Sequence, residues 1–301
     1  MHHAHTTTQI INAGLVLGNN SATTNDKRRK ARGQQHKKRK INRTPALTPM
    51  NPQRQDEKKD DDGAPTLLLF DLDGTLYDHA CGYEEEIHSN IFKFMVEMSG
   101  GKFNTITTVD EAQRVWQPMF DKYNLTKRAL IGEGYVFDSQ YYDTFVRKGA
   151  DKYFVKDDQL REFLESFPSG MKKVVFTNAP ESSANEILNL LGVDDLFDHV
   201  LGTDFLEYGS ICKPDPKAFT KVMNYLNVSP SEYHRVCYFE DSFKNLKAGK
   251  NLGFRTVFIT SETLENEGKS KQELEEENFD AILHKNVNMT LRSQLPQLWK
   301  E

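Results

Sequence analysis

Two carboxylates stand two residues apart in Asp71-Leu72-Asp73-Gly74-Thr75, directly after an apolar run at residues 66–70. Alternate residues of a strand share a face, so at a strand end these side chains reach toward a common side, with backbones about 6–7 Å apart. One can attack phosphorus while the other handles the leaving group's proton. Gly74 lets the backbone leave the strand and offer its N–H groups to an anion. A phosphate and two carboxylates cannot share a pocket without positive charge, and three further segments supply what is missing. Lys213, in Lys213-Pro214, is a cation. Thr177, in Thr177-Asn178, offers a hydroxyl hydrogen bond to a phosphoryl oxygen. Glu240-Asp241, with Asn245 four residues later, offers the hard oxygens that suit Mg²⁺, which takes a few carboxylates and keeps several waters. A lone Asp-x-Asp-Gly is often only a turn, and an isolated Lys-Pro or Glu-Asp carries no signal. The weight lies in all four pieces occurring in this order, each at a strand end. No GxxxxGK[ST] is present, and no GxGxxG follows a strand, so nucleotide-fold readings of that sort lack support.

The elements that must position these residues follow from pattern. Residues 66–70 read as a strand buried on both faces, as in a parallel sheet. Residues 84–98, 109–123 and 141–148 carry apolar positions at helical spacing, and residues 82–151 contain no alternating strand. From residue 157 an α/β alternation resumes. Helices are expected at 157–167, 180–191, 215–226 and 242–251, with strands at 172–177, 198–201, 235–239 and 254–259. A last edge strand is expected at 280–283. Pro180 is predicted at the first helical position, Gly192 at the C-terminal stop and Ser242 at an N-cap. The acidic stretch 264–278 reads as a surface loop or exposed helix. Ligands of open α/β sheets bind beyond the carboxyl ends of the strands, where the four pieces fall.

Charge divides the 301 residues. Residues 1–54 hold eleven Lys and Arg against one acid, Asp26, while the remainder holds 28 basic and 43 acidic residues. The acidic body is unsuited to gripping nucleic acid non-specifically. Residues 1–64 have the composition of a disordered basic tail. Its clusters Lys27-Arg28-Arg29-Lys30 and Lys37-Lys38-Arg39-Lys40 read as a nuclear-import or polyanion-binding patch, or as plain solvated chain. A transit-like N-terminus is a third reading. The expected location is cytoplasmic, nuclear or both, with an organelle as the alternative. Nucleic acid or an import receptor would bind only through residues 27–43. The three cysteines have neither CxxC nor metal-like spacing and suit a reduced compartment. No run of 18 apolar residues occurs, so no membrane partner is expected.

The chain resembles the haloacid dehalogenase superfamily. The resemblance rests on FDLDGT at residues 70–75, FTNA at 176–179, the lysine of CKPDP at 212–216 and FEDSFKNLKAGKNLG at 239–253. It implies a Rossmann-like parallel sheet core with helices on both faces, residues 65–81 and 152–301. It also implies a small all-helical cap of the C1 type at residues 82–151. Within the superfamily the chain is similar to the pyrimidine 5′-nucleotidases of fungi and plants, through FDLDGTLYDHACGYEEEI, KYNLTKRALIG and FTNAPESSANEILNLLGVDDLFD.

Carried onto this sequence, the resemblance implies that Asp71 is the nucleophile and a metal ligand. Asp73 would be the general acid/base, with its backbone carbonyl on the metal. Thr177, Asn178 and Lys213 would hold the phosphate, Asp241 would bind Mg²⁺ directly and Glu240 through water. The expected enzyme is a Mg²⁺-dependent phosphomonoesterase working through an aspartyl-phosphate, on nucleoside 5′-monophosphates and foremost on pyrimidine ones. The alternatives are another small phosphorylated metabolite (a sugar phosphate, phosphoglycolate or lysophosphatidic acid) or a non-catalytic regulatory protein on the same fold. Tyr83, Tyr135, Phe137, Tyr141 and Tyr142 form an aromatic set that would either stack on a base or pack the cap's own core.

Overall fold

The computed structural model describes residues 63–260 and 277–300. The basic clusters, most of the tail and most of the acidic stretch 264–278 lie outside the described residues.

Six strands form one parallel sheet in the order β3-β2-β1-β4-β5-β6. They are β1 Leu67–Phe70, β2 Lys172–Phe176, β3 His199–Leu201, β4 Val236–Glu240, β5 Arg255–Thr260 and β6 Ala281–His284. All four residues of β1 and all five of β4 are buried, as a strand covered on both faces requires. The strands divide their side chains between two apolar layers. Leu68, Phe70, Val175, Cys237 and Phe239 join one layer, and Leu67, Leu69, Val174, Phe176 and Tyr238 the other. Helices α5 (Asp158–Glu165) and α6 (Glu181–Leu191) cover the first layer. Helices α7 (Pro216–Tyr225) and α8 (Phe243–Leu252) cover the second. This is the Rossmann-like architecture expected from the sequence. The chain reverses its direction of winding at β1, whose neighbours are β2 on one side and β4 on the other. That reversal opens a crevice at the carboxyl end of β1.

Between β1 and α5 the chain leaves the sheet for four helices: α1 Tyr83–Glu97, α2 Val109–Tyr123, α3 Thr126–Gly132 and α4 Ser139–Arg147. A capping box starts α2: Thr108 Oγ1 accepts from the Glu111 N–H, and the Glu111 carboxylate accepts from the Thr108 N–H. Helix α3 was not expected from the sequence. Seven residues span barely two turns, too short for a 3.6-residue period to show, and it is held instead by burying Thr126, Lys127, Ala129 and Leu130. Pro180 is corrected from the first helical position to the N-cap. Its ring fixes φ at −62°, but its ψ of 142° is extended, so helical geometry starts at Glu181. Ser242 does sit at the N-cap of α8, without a side-chain capping bond. Gly192 ends α6 with φ +71°. Strand β6 lies at the sheet edge, where residues 280–283 were read.

Candidate active site

Asp71 follows the last residue of β1, and its N–H donates to the Phe239 carbonyl at 2.9 Å, which fixes it against β4. Its carboxylate Oδ1 lies 2.8 Å from Lys213 Nζ. Lys213 is 1% exposed and also meets Glu240 Oε2 at 2.7 Å. One buried ammonium therefore serves two buried carboxylates. Glu240, the last residue of β4, accepts further hydrogen bonds from the Tyr238 hydroxyl and the Ser242 N–H. Its oxygens are spent on bracing Lys213 and the turn into α8.

Lys213 is positioned by Asn178. The Lys213 N–H donates to Asn178 Oδ1 at 2.9 Å, and Asn178 Nδ2 donates back to the Lys213 carbonyl at 3.1 Å. Asn178 thus splints the lysine's backbone, a task its sequence position did not announce. Thr177, buried at the end of β2, accepts from the Ala179 N–H at 3.0 Å, which leaves its hydroxyl hydrogen to donate.

Carboxylate oxygens of Asp71, Glu240 and Asp241 all lie within 4.8 Å of one another. Burial, and next the charge of Glu240, push the Asp71 carboxyl up to about 7, against the pull of Lys213. Burial also raises Glu240 and Asp241. Three hard-oxygen donors that resist ionising together are the donor set a small divalent cation such as Mg²⁺ takes. The residues fit the ion: Asp71 and Asp241 have the chemistry to hold it directly, and Glu240, otherwise engaged, through water.

Asp73 stands apart. Its two oxygens receive a bidentate fork from Arg147, the last residue of α4: Nη1 to Oδ1 at 2.9 Å and Nη2 to Oδ2 at 2.6 Å. The Tyr77 hydroxyl adds a 2.5 Å bond to Oδ1. Burial opposes ionisation of Asp73, but Arg147's charge and hydrogen bonds outweigh it and hold the carboxyl below the usual range. Directly after Asp73 the chain turns through Gly74 at φ +70°, and a Cβ there would sit 2.0 Å from His79 Nε2. Glycine is favoured on both counts, since another residue would strain the backbone and force the His79 ring to move. His79 bridges Asp241 Oδ2 at 2.7 Å and Glu84 Oε2 at 2.5 Å. Burial opposes its charge, yet those two carboxylates carry its pKa up to about 11.

Sequence reasoning missed Arg147, Tyr77 and His79 as site residues. Arg147 looks like an ordinary cation in a helix's last turn, where it would complement the dipole. Tyr77 and His79 fall inside the motif stretch after Asp73 but offer no spacing of their own.

One cavity of about 570 Å³ runs from Asp73, Lys213 and Asp241 to the helices of the insert. Ile87, Ile91, Phe120, Tyr142 and Val146 give it an apolar wall. Asn124, Thr126, Lys127, Asp143 and Thr203 add polar groups to its lining. Lys127 Nζ, 3% exposed, meets Asp143 Oδ2 at 2.7 Å. The Thr203 hydroxyl is buried with no hydrogen-bond partner among the described residues. Asn245, on α8, also lines the cavity. Of the five aromatic residues considered for stacking, Tyr142 alone lines it. Tyr83, Tyr135 and Phe137 pack in the insert's interior, and Tyr141 is half exposed.

Residues 65–253 match the family of haloacid dehalogenase-like hydrolases. The chain is 26% identical over 224 residues to phosphate metabolism protein 8 of Saccharomyces cerevisiae, covering 70% of this chain and 66% of that protein. It is 26% identical over 206 residues to a phosphoglycolate phosphatase of Psychrobacter arcticus, covering 64% of this chain and 83% of that one. Among solved structures, a HAD phosphatase from Thermococcus onnurineus superposes with a TM-score of 0.53 at 18% identity, over 78% of this chain and all of that one.

Proposed function

The chain belongs to the haloacid dehalogenase-like hydrolases, and from that premise we propose that it hydrolyses phosphomonoesters through an aspartyl-phosphate on Asp71. The observation that carries this reading is the convergence of Asp71, Lys213, Glu240 and Asp241 at the carboxyl end of the central strand. Asp71 attacks phosphorus in line, and Asp73 gives a proton to the leaving oxygen. Asp73 then takes a proton from the water that splits the acyl-phosphate. Lys213 and Thr177 hold the equatorial oxygens, with Lys213 set by Asn178. Asp71, Asp241 and the Asp73 carbonyl, with Glu240 through water, would hold Mg²⁺, which would supply positive charge at the transferring phosphoryl group. Helices α1–α4, within residues 82–151, act as the cap that closes over the core of 65–81 and 152–301.

The preferred substrate is a nucleoside 5′-monophosphate, with pyrimidine favoured. Support comes from how the cavity is furnished. Its cations Arg147, Lys127 and Lys213 each already hold a carboxylate, while Lys244 stands exposed at the rim. The apolar wall and the donors and acceptors that line the cavity with it suit a leaving group that is neutral, flat and hydrogen-bonding. A second reading, phosphoglycolate, is favoured by the names of several relatives. Its carboxylate would have to displace one of those ion pairs or reach Lys244.

The test is phosphate release from UMP, CMP, AMP, GMP, phosphoglycolate and sugar phosphates, with Mg²⁺ or with EDTA, and with Asp71→Asn as control. Mg²⁺-dependent turnover of UMP and CMP above the purine nucleotides is expected, with Asp71→Asn inactive. Preference for phosphoglycolate would replace the substrate and keep the chemistry. Activity retained by Asp71→Asn would overturn the mechanism.

A further inference from the structure

The insert reaches the reacting end of the sheet through Arg147, and the surrounding contacts fix where its guanidinium goes. Arg147 closes α4, where the last carbonyls of a helix lack intrahelical partners. Two side chains of α1 fill that deficit: the Tyr83 hydroxyl donates to the Arg147 carbonyl at 2.5 Å, and Asn90 Nδ2 donates to the Val146 carbonyl at 3.2 Å. Tyr83 and Asn90 are both fully buried. The arginine's backbone is thereby tied to α1, and its side chain is only 15% exposed. The fork then spans from the insert to the core and takes both oxygens of Asp73.

Oδ1 accepts from Arg147 and from Tyr77 and has no lone pair to spare. Oδ2 accepts from Arg147 alone among the described residues and keeps one lone pair. A carboxylate gripped in this way is an acceptor of fixed orientation. Its free lone pair suits it to take a proton from water more than to give one to a leaving group.

We propose that Arg147 is a positioning residue that completes the active site from the insert, holding Asp73 as the base for the second half of the reaction. This rests on the aspartyl-phosphate reading above. In that half a water O–H bond breaks and the proton goes to Asp73 Oδ2. The water's electron pair forms the new P–O bond, and the P–O bond to Asp71 breaks with its pair returning to the Asp71 carboxylate. Removing the fork leaves the first half intact for a substrate whose leaving group needs no proton.

p-Nitrophenyl phosphate is such a substrate, and the full chain with Mg²⁺ is the enzyme to use. Arg147→Met is expected to lower kcat about 10- to 100-fold while kcat/KM holds, because kcat/KM reports steps up to the first phosphoryl transfer. A burst of one nitrophenolate per enzyme should appear as the phospho-enzyme accumulates. Arg147→Lys, whose point charge cannot grip both oxygens, should restore kcat in part and shrink the burst. It also serves if the methionine variant does not fold. A fall in kcat/KM without a burst, in either variant, would mean that Arg147 only supports the structure, and an unchanged kcat in both would overturn the proposal outright. A wild-type chain that turns over no phosphomonoester would instead remove the phosphatase reading, which separates the two failures.

Discussion

Asp71 and Asp73 are two residues apart, yet they belong to different parts of the molecule. Asp71 is held from the core, by Lys213 of the loop between β3 and α7 and beside Glu240 and Asp241 at the end of β4. Asp73 is held by Arg147 from α4 and by Tyr77 from the turn after β1. Their electrostatics diverge accordingly. Burial pushes the Asp71 carboxyl up, because one lysine is divided between two acids, and Arg147 brings the Asp73 carboxyl down, because it serves that acid alone. The core half is short of positive charge, and the insert half is balanced within itself. A site assembled this way has its phosphate and cation end built permanently at the strand ends. Its proton-handling end depends on the insert being docked.

Lys213→Met should have the largest effect of any single change in the core half. Lys213 is 1% exposed and meets Asp71 at 2.8 Å and Glu240 at 2.7 Å. Its removal leaves two buried carboxylates facing each other, which costs about 3–5 kcal/mol when one partner of a buried pair is lost. Urea unfolding should register that loss, and phosphate release should fall by at least about 10²-fold. An equal loss from Lys127→Met would mean that the core and the insert do not differ in this way. Lys127 serves Asp143 alone, and that carboxylate keeps 17% exposure toward the cavity. The expected cost there is about 1–3 kcal/mol. The informative effect is on the substrate: the preference among nucleotides should change while turnover of p-nitrophenyl phosphate stays close to wild type. Unchanged nucleotide preference would remove the Lys127–Asp143 pair from substrate reading.

The same division explains what could be read in advance. The core half was legible because strand ends carry short motifs. Asp71, Glu240 and Asp241 each adjoin an apolar run that announces a strand, and the parallel pairing of β1 with β4 brings them together, whereas Lys213 reaches them from the loop between β3 and α7 and not from a strand end. The sheet was legible for the same reason, since β1 and β4 are buried on every residue. The insert half was not. Arg147, Lys127 and Asp143 lie on short helices whose periodicity reports only which face is apolar, and Lys127 sits on a helix too short to show a period at all. Their meeting in one cavity depends on how α3 and α4 pack against α1 and α2, which no local spacing encodes. Asn178 was legible as a site residue, but its bonds to the Lys213 backbone required the loop between β3 and α7 to be seen.

The smallest expected effect separates the two aspartates by sign. The Asp71 carboxyl is raised from 3.8 to about 7 in the folded protein. Between those values the folded state holds a proton that the unfolded state has released. Stability from this group is therefore full below 3.8 and is lost as pH rises through about 7. Glu240 and Asp241, also raised, act in the same direction. Asp73 is lowered, so its contribution is present above its unfolded value of 3.8 and is lost only as pH falls below it. Melting in EDTA should thus decline from pH 4 toward pH 7 by an amount on the order of 5 °C. Mg²⁺ should recover most of the difference near pH 7, where the acids it would neutralise are ionised. Asp71→Asn should flatten the slope and Arg147→Met should steepen it, because a buried Asp73 without its guanidinium is pushed up and then loses stability in the same direction as Asp71. A slope that vanished in Arg147→Met and survived in Asp71→Asn would show that the insert sets the charge of the core half, and that the two halves are one electrostatic unit.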